Sequence, residues 1–162
     1  MTTGEYNSTV DQYSDNVYRF ILKHIKDKDK ARDIVQDTWE KMWLKVEEIT
    51  AEKAKSYLFT AAYRTMIDLI RRDSKQGRFE EAKVAKRMVT ENNYTDLQEI
   101  LHKAIEKLPE IQKSVVLLRD YEGYSYEEIG DITGLTEAQV KVYIFRARQF
   151  LKEELGSMEA VL

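Results

Sequence analysis

The sequence has no cysteine, which excludes a disulfide framework, a thiolate metal site and a cysteine nucleophile. Its two histidines, His24 and His102, each fall within an amphipathic helical pattern, so we interpret both as structural residues. No metal-ligand spacing, phosphate-binding loop or nucleophile–base pair occurs in the sequence, and no cofactor is expected. An enzyme is therefore the least favoured class of function.

Proline and glycine are scarce as well. One proline and six glycines leave few of the breaks that β-hairpins need, whereas a charged content of 34% suits amphipathic helices. The longest strictly aliphatic run, Val115 to Leu118, is far too short to cross a membrane. The first residues have neither the basic flank nor the apolar block of a signal peptide. We expect an all-α protein in the cytoplasm, without membrane insertion.

The net charge of −3 is unusual for a nucleic-acid-binding protein, so the distribution of charge along the chain matters. Residues 96–162 carry 13 acidic and 8 basic side chains, yet the stretch from Ala138 to Lys152 has basic residues and no acidic one. Attraction to phosphate is therefore local. We expect weak binding to duplex DNA unless a larger partner holds the protein there.

Hydrophobic residues recur at helical spacing through the first half and predict three helices. The first ends in the charged turn Lys26 to Asp29, and the third is expected from about Glu52 to Arg72. Between them, the second helix has its predicted buried stripe at Ala31, Ile34, Val35, Thr38, Trp39, Met42, Trp43 and Val46. This pattern predicts a helical bundle in residues 1–75.

The hydrophobic pattern weakens between Ser74 and Thr95, where we predict a linker over residues 76–95. A second helical domain, residues 96–162, follows it. Pro109 suits the first turn of a helix in that domain, and Gly156 is expected to end the last helix. The sequence thus favours two small all-α domains.

Residues 123–152 predict a helix-turn-helix. Ser125 with Glu128, and Thr136 with Gln139, have the spacing of a capping box at the start of each helix. Gly134 fits the left-handed residue that ends the first of these helices. Positive charge on the second helix is typical of a helix that enters the major groove of DNA. A helical hairpin with a solvated basic face is the alternative interpretation.

Three blocks of sequence resemble the RNA polymerase sigma factors of the extracytoplasmic-function (ECF) group. The segment from Ala31 to Trp43 is similar to the family's core-binding helix in conserved region two. The segment from Ser56 to Arg72 resembles the helix that recognises and melts the upstream edge of the transcription bubble. Similarity to conserved region four lies in residues 108–112, 122–129 and 144–148.

This resemblance implies two all-helical domains joined by a flexible linker and a function without catalysis. Such a protein binds bacterial RNA polymerase core and directs promoter-specific transcription initiation. Region two (residues 1–75) would melt and read the proximal, minus-ten element, and region four (residues 96–162) would read the distal, minus-thirty-five element. The implied partners are polymerase core and promoter DNA. Whether an anti-sigma factor also binds stays open.

The resemblance also assigns residues to three surfaces. Positions that bind the polymerase core are Asp33, Gln36 and Asp37. Positions for the proximal element and for melting are Tyr57, Phe59, Tyr63, Arg64, Arg71 and Arg72, with one or two of the aromatic rings at most expected to be exposed for base stacking. Positions for the distal element are Gln139, Lys141, Val142, Phe145 and Arg146.

Three of these residues differ from what the family often has. Arg64 replaces an Asn and Tyr57 a Trp, so the proximal element could be read differently. Val142 replaces a Ser, which removes a hydrogen bond and allows contact with a thymine methyl group.

Two other functions fit parts of the sequence. A helix-turn-helix regulator of the response-regulator effector type would bind operator DNA as a homodimer, but it does not explain the block from Asp33 to Asp37. A helical interaction module would need no nucleic acid at all. Co-purification with polymerase core, as opposed to dimerisation on operator DNA, would distinguish the sigma factor from the regulator.

Overall fold

The computed structural model describes residues 1–76 and 96–159, in which it has seven α-helices and no strand. The helices span Thr3–Ile25 (α1), Lys28–Leu44 (α2), Ala54–Gln76 (α3), Asp96–Glu106 (α4), Glu110–Val116 (α5), Tyr126–Thr133 (α6) and Glu137–Glu159 (α7). A 3₁₀ turn at Ala51–Lys53 precedes α3, and a π-helical turn at Leu117–Tyr121 continues α5. The predicted all-α class is confirmed. Apart from its first residue, the predicted linker 76–95 lies outside the described residues.

Local capping determines where α1 and α2 meet. Thr2 and Glu5 form a capping box at the start of α1. Lys26 adopts a left-handed conformation with φ 59°, which ends α1. The carboxylate of Asp27 then accepts hydrogen bonds from the backbone N–H groups of Asp29 and Lys30 and starts α2. The charged turn predicted from Lys26 to Asp29 is shorter than expected, because Lys28 and Asp29 already belong to α2.

Helices α1, α2 and α3 form a bundle around a core of fully buried side chains. Its members include Val17, Ile21, Ala31, Met42, Leu58 and Met66. Trp39 is buried, but Trp43 was wrongly predicted to be a core residue, because 47% of its surface is exposed. Trp43 lies one turn after Trp39, close to the end of α2, and its ring contacts the edge of Tyr6 with centroids 5.0 Å apart. Part of an indole thus lies on the surface of the first domain.

The predicted helix-turn-helix is confirmed as α6 and α7. Both reciprocal hydrogen bonds of the Ser125–Glu128 capping box form, and Gly134 ends α6 with φ 80°. A Cβ on Gly130 would lie 2.8 Å from the carbonyl oxygen of Leu135, so this position accepts only glycine without rearrangement.

Gly156 does not end the last helix, as the sequence had suggested, because α7 continues to Glu159. Gly156 is exposed with open space around it, and a helix tolerates glycine there at a cost of about 1 kcal/mol. Pro109 is the N-cap of α5, immediately before the first turn.

The two domains pack directly against each other, which the sequence did not predict. Contacts run between α1 and α3 of the first domain and α5 and α6 of the second. Phe59 and Tyr124 meet across this boundary, and the buried apolar side chains on its two sides form one continuous core. Within the described ranges, no helix is long and apolar enough to span a membrane.

Candidate core-binding and nucleic-acid-binding surfaces

An open apolar groove of about 780 Å³ lies between α1 and α2. Its floor is aromatic, with Tyr6 in edge contact with both Trp39 and Trp43. The Tyr6 hydroxyl donates a 3.0 Å hydrogen bond to the Trp39 carbonyl oxygen, which fixes the ring in place. At the end of the groove Leu44 is 83% exposed. Apolar groups of this size on a surface typically mark a protein-binding site.

Of the three residues assigned to core binding, only Gln36 is among the residues that line this groove. Asp33 and Gln36 are exposed on α2, and Gln36 also lines the groove. Asp37 is half-buried and forms an ion pair with Lys41 at 2.9 Å. The Lys41 ammonium also donates to the Thr65 hydroxyl at 3.1 Å, which connects α2 to α3. Asp33 and Gln36 are therefore available to a partner protein, whereas Asp37 already pairs with Lys41 within the chain.

Helix α3 carries an exposed basic stripe at Arg64, Arg71 and Arg72. Among the aromatic side chains assigned to base stacking, Tyr57 is partly exposed. Phe59 is completely buried, and Tyr63 is 8% exposed. In this arrangement α3 therefore presents positive charge and one tyrosine, while two of the predicted stacking rings are covered.

The second helix of the helix-turn-helix, α7, exposes the residues assigned to the distal element. Phe145 is 63% exposed and Val142 is 46% exposed, a large apolar area next to the exposed Arg146. The opposite side of α7 is buried through Val140 and Ile144. An exposed helix face with apolar and basic side chains fits contacts with thymine methyl groups, bases and phosphates.

Other polar residues of α7 are held by intramolecular contacts. The Gln139 carboxamide accepts a hydrogen bond from the Thr136 backbone N–H at 2.9 Å, and Thr136 accepts one from the Gln139 N–H at 3.1 Å, as predicted for a cap. Lys141 pairs with Glu137 at 3.6 Å. Arg148 donates to Asp120 at 2.6 Å, so it supports the domain rather than extending from it. The Arg148 guanidinium is therefore held by Asp120, whereas Arg146 is exposed on the same basic helix.

The sequence did not predict the polar contacts between the two domains. A linear pattern does not relate residues that are far apart in the chain. Lys26 and Glu106 form an ion pair at 2.9 Å. The ammonium of Lys23 lies 3.6 Å from the centroid of the Tyr121 ring. One residue indicates such a contact in the sequence. His24 lies on a mostly apolar helix face, where a buried imidazole needs a polar partner.

Burial shifts the pKa of several groups near this boundary. Burial, together with a smaller effect of the nearby cations Lys113 and Lys23, lowers the pKa of His24 to about 4. Burial raises the pKa of Glu122 and of the Tyr124 phenol. These shifts all favour neutral side chains, as a packed boundary between domains requires. In the part of the chain that the structure describes, no group of three acidic or histidine side chains is arranged to hold a metal ion.

Comparison with protein families gives two matches that follow each other along the chain. A model described as Sigma-70 region 2 matches residues 9–76. A model described as Sigma-70, region 4 matches residues 98–151. The helix-turn-helix and the α2 groove thus fall in different matched segments.

Similar proteins agree with these matches over most of the chain. The chain is 30% identical over 148 residues to the RNA polymerase sigma factor SigV of Bacillus subtilis (strain 168), covering 90% of this chain and 88% of SigV. It is 28% identical over 144 residues to the ECF RNA polymerase sigma factor SigM of the same organism, covering 86% of this chain and 88% of SigM.

Solved structures share the fold. The sigma factor RpoE from Bartonella quintana, in complex with the anti-sigma factor NepR, aligns with a TM-score of 0.74 and 26% identity. That alignment covers 93% of this chain and 96% of RpoE. CnrH, in complex with the cytosolic domain of CnrY, aligns with a TM-score of 0.68 at 20% identity, which is a likeness of fold.

Proposed function

This chain belongs to the sigma-70 family of RNA polymerase sigma factors, in its ECF group, and we propose a division of that family's function among its surfaces. It is a promoter-specific transcription initiation factor and not an enzyme. RNA polymerase core and promoter DNA are its partners. We assign core binding and the proximal element to residues 1–75 and the distal element to residues 96–162, with residues 76–95 as the linker. A cytoplasmic location follows from these partners.

The polymerase core binds the face formed by α2 and the adjacent groove. Asp33 and Gln36 are exposed there and can accept hydrogen bonds from arginine, which are strong when both groups are charged. Trp43 and Leu44 add apolar area in the groove that Gln36 also lines. A polar rim around exposed aromatic side chains is the composition that protein interfaces favour, and this juxtaposition on α2 is the observation that best supports core binding. Asp37 contributes after exchanging its contact with Lys41.

The proximal element meets α3. Arg64, Arg71 and Arg72 track the phosphates, because they form an exposed basic stripe along the helix. Base stacking needs exposed rings, and Tyr57 provides the most accessible one in this arrangement. Phe59 and Tyr63 are buried in this arrangement, and Phe59 packs against Phe20 of its own domain as well as against Tyr124 of the second.

The distal element meets α7 in the major groove. Val142 and Phe145 provide apolar contacts, and Lys141 and Arg146 provide contacts with bases or phosphates. Gln139 would contribute from the first turn of the helix, where its side chain also caps the backbone. This domain carries more acidic than basic side chains, and its positive charge is local to the stretch from Ala138 to Lys152, which fits a protein that the polymerase delivers to DNA.

Regulation by an anti-sigma factor is the first possibility to test in cells, since RpoE, the similar structure above, was solved with one. A regulator of this kind would compete with polymerase core for the same surfaces. Pull-down from the native organism with the tagged protein distinguishes the two partners by mass.

In vitro transcription with purified core polymerase on a randomised promoter library tests the function directly. The protein should produce core-dependent transcripts from templates enriched for two separated elements. Transcription that is equal with and without the protein would refute the proposal. Dimerisation on duplex DNA without polymerase would favour the operator-binding regulator instead.

A further inference from the structure

Tyr6, near the start of α1, contacts both tryptophans of α2. The centroid of its ring lies 6.1 Å from that of Trp39, with planes at 83°, and 5.0 Å from that of Trp43, with planes at 65°. Its hydroxyl donates a 3.0 Å hydrogen bond to the Trp39 carbonyl oxygen. In an α-helix the carbonyl of residue 39 is also the acceptor for the N–H of residue 43, and a carbonyl oxygen can accept two hydrogen bonds. Tyr6 therefore supports both the rings and the backbone of this turn of α2.

Trp43 depends on this support because it lies in the last turn of α2, which ends at Leu44. Helix ends fray, and the indole of Trp43 is 47% exposed, so few contacts restrict its position. Within the described residues, the buried Nε1 of Trp39 has no hydrogen-bond partner, so packing alone holds that indole. The edge contacts of Tyr6 thus determine how the two indoles are presented in the groove.

The cap of α1 holds Tyr6 in place. The Thr2 N–H donates to the Glu5 carboxylate at 2.9 Å, and the Glu5 N–H donates to the Thr2 hydroxyl at 3.1 Å. The Tyr6 N–H then donates to the Thr2 carbonyl oxygen at 2.9 Å. These residues precede residue 9, where the match to Sigma-70 region 2 begins. The support for Trp43 therefore comes from outside the segment that the family model matches.

The chemistry of the groove indicates what occupies it. Asp15 and Glu40 line it together with one basic residue, Arg32, and all three side chains are exposed. Burial raises the pKa of the Tyr6 hydroxyl, and the Glu40 carboxylate acts in the same direction, so the hydroxyl stays a hydrogen-bond donor. An aromatic floor with two carboxylates along it is complementary to an apolar side chain that is flanked by basic side chains.

We propose that Tyr6 is a positioning residue for the binding of RNA polymerase core. It holds the Trp43 indole at the end of the groove, where an apolar side chain of the core, flanked by basic side chains, packs on it. This inference rests on the proposed function and deepens it, because it adds the first turns of α1 to the core-binding surface. Since Tyr6 acts through Trp43, its replacement matters for core binding only while Trp43 is present.

A double-mutant cycle tests this dependence. Tyr6→Leu removes the ring and should weaken association with purified core about three- to tenfold, whereas Tyr6→Phe removes only the hydroxyl and should weaken it about two- to threefold. Trp43→Ala alone should weaken it about tenfold. The double variant Tyr6→Leu/Trp43→Ala should bind no more weakly than Trp43→Ala, because two residues that act through one contact are not additive. Fluorescence anisotropy of the labelled full chain measures all four affinities.

Fluorine NMR of the free protein reports the position of Trp43 directly. Labelling with fluorotryptophan gives two resonances, because the chain has two tryptophans, and Trp43→Phe assigns them. Tyr6→Leu should shift the Trp43 resonance and increase its solvent isotope effect between H₂O and D₂O, since the indole loses its cover. The Trp39 resonance should keep a small isotope effect, because that residue is buried. An unchanged Trp43 resonance would contradict positioning by Tyr6.

Tyr13 provides the matched control, since it lies on α1, is partly exposed like Tyr6 and is not among the residues that line the groove. Tyr13→Leu and Tyr13→Phe should bind core with parental affinity and leave the Trp43 resonance in place. If urea denaturation shows equal losses of stability in Tyr6→Leu and Tyr13→Leu, a difference in core affinity between them cannot be an effect of stability.

Three results would overturn the proposal: parental core affinity of Tyr6→Leu, losses that add in the double variant, or a dimer of the free protein that Tyr6→Leu dissociates in sedimentation. The last would mean that a second copy of the chain occupies the groove. In each case the parent still binds core and initiates transcription, so only the role of Tyr6 is wrong. A parent that does not bind core would instead refute the proposed function together with this inference.

Discussion

The imidazole Nε2 of His24 lies 2.9 Å from the Ser114 hydroxyl, and the two residues are 90 positions apart in the chain. The other ring nitrogen, Nδ1, lies 2.9 Å from the carbonyl oxygen of Phe20. A neutral imidazole satisfies both contacts when Nδ1–H donates to Phe20 and Nε2 accepts from the Ser114 hydroxyl, which then does not donate to the Glu110 carbonyl oxygen 2.9 Å away. A protonated imidazole here would be desolvated and close to the cations of Lys113 and Lys23.

Protonation of His24 should therefore destabilise the fold as the pH falls. Its pKa is about 4 in the folded protein and about 6.5 when exposed, so its contribution is complete above pH 6.5 and is lost between 6.5 and 4. Between pH 7 and pH 5, this group alone should lower the free energy of unfolding by about 2 kcal/mol. Urea denaturation at a series of pH values measures this loss in the free energy of unfolding.

Two variants control that measurement. His24→Gln cannot be protonated and should lose this part of the pH dependence, whereas His102→Gln should keep it. A parental protein and a His24→Gln variant with parallel stability curves from pH 7 to pH 5 would contradict the burial of a neutral His24.

Substitution of each of the two tryptophans of α2 should distinguish effects on stability from effects on binding to polymerase core. Trp43→Ala removes a half-exposed ring and should lower affinity for polymerase core about tenfold, or about 1.4 kcal/mol, while changing the free energy of unfolding by about 1 kcal/mol or less. Trp39→Ala removes a buried ring and should cost about 3–5 kcal/mol of stability. Core affinity by fluorescence anisotropy and stability by denaturation distinguish them. Unchanged core affinity of Trp43→Ala would exclude the groove from the interface.

The polar part of the same surface gives an independent prediction. Asp33→Ala with Gln36→Ala should weaken association with core, with helical content and melting temperature nearly unchanged, because both side chains are exposed. A pull-down with purified core measures the loss. Gln12→Ala with Glu48→Ala removes an equally exposed amide and acid elsewhere and should bind normally. Equal recovery of core by the two double variants would show that the α2 face is not the contact.

Replacement of two glycines of the second domain by alanine should change its stability in opposite directions. Gly130→Ala should destabilise it by about 1–3 kcal/mol, because the new Cβ would lie 2.8 Å from a backbone oxygen that cannot move freely. Gly156→Ala lies in α7 with open space around it and should stabilise the protein by about 0.5–1 kcal/mol. Thermal denaturation of both variants checks the pair. A Gly130→Ala protein as stable as the parent would refute the close approach of α6 to the turn.

Local features of this fold could be predicted because neighbouring residues determine them. Ser125, Glu128 and Gly134 define the ends of α6 through hydrogen bonds and a backbone angle that involve a few adjacent positions. The exposure of Val142 and Phe145 likewise follows from helical spacing relative to the buried Val140.

The packing of one domain on the other could not be predicted in this way. Hydrophobic periodicity shows that Phe59 lies on an apolar face but does not identify the surface that covers it, and Tyr124 follows 65 positions later. Trp43 was misplaced for a related reason. Its spacing from Trp39 fits a buried stripe, but at the end of α2 its ring packs on Tyr6 and stays 47% exposed.

Selection from a randomised promoter library with the Arg146→Ala and Arg148→Ala variants tests most directly whether the second domain reads the distal element. Arg146 is exposed on α7, whereas Arg148 is bound to Asp120 at 2.6 Å. Arg146→Ala should weaken sequence preference at distal positions only, by about 1–3 kcal/mol at the base it contacts, and Arg148→Ala should leave the preference unchanged. If Arg146 contacts only phosphate, all templates lose transcription alike and the salt slope of promoter binding falls by about one unit. Transcription that is unaffected by Arg146→Ala on every template would contradict the assignment of α7 to promoter DNA.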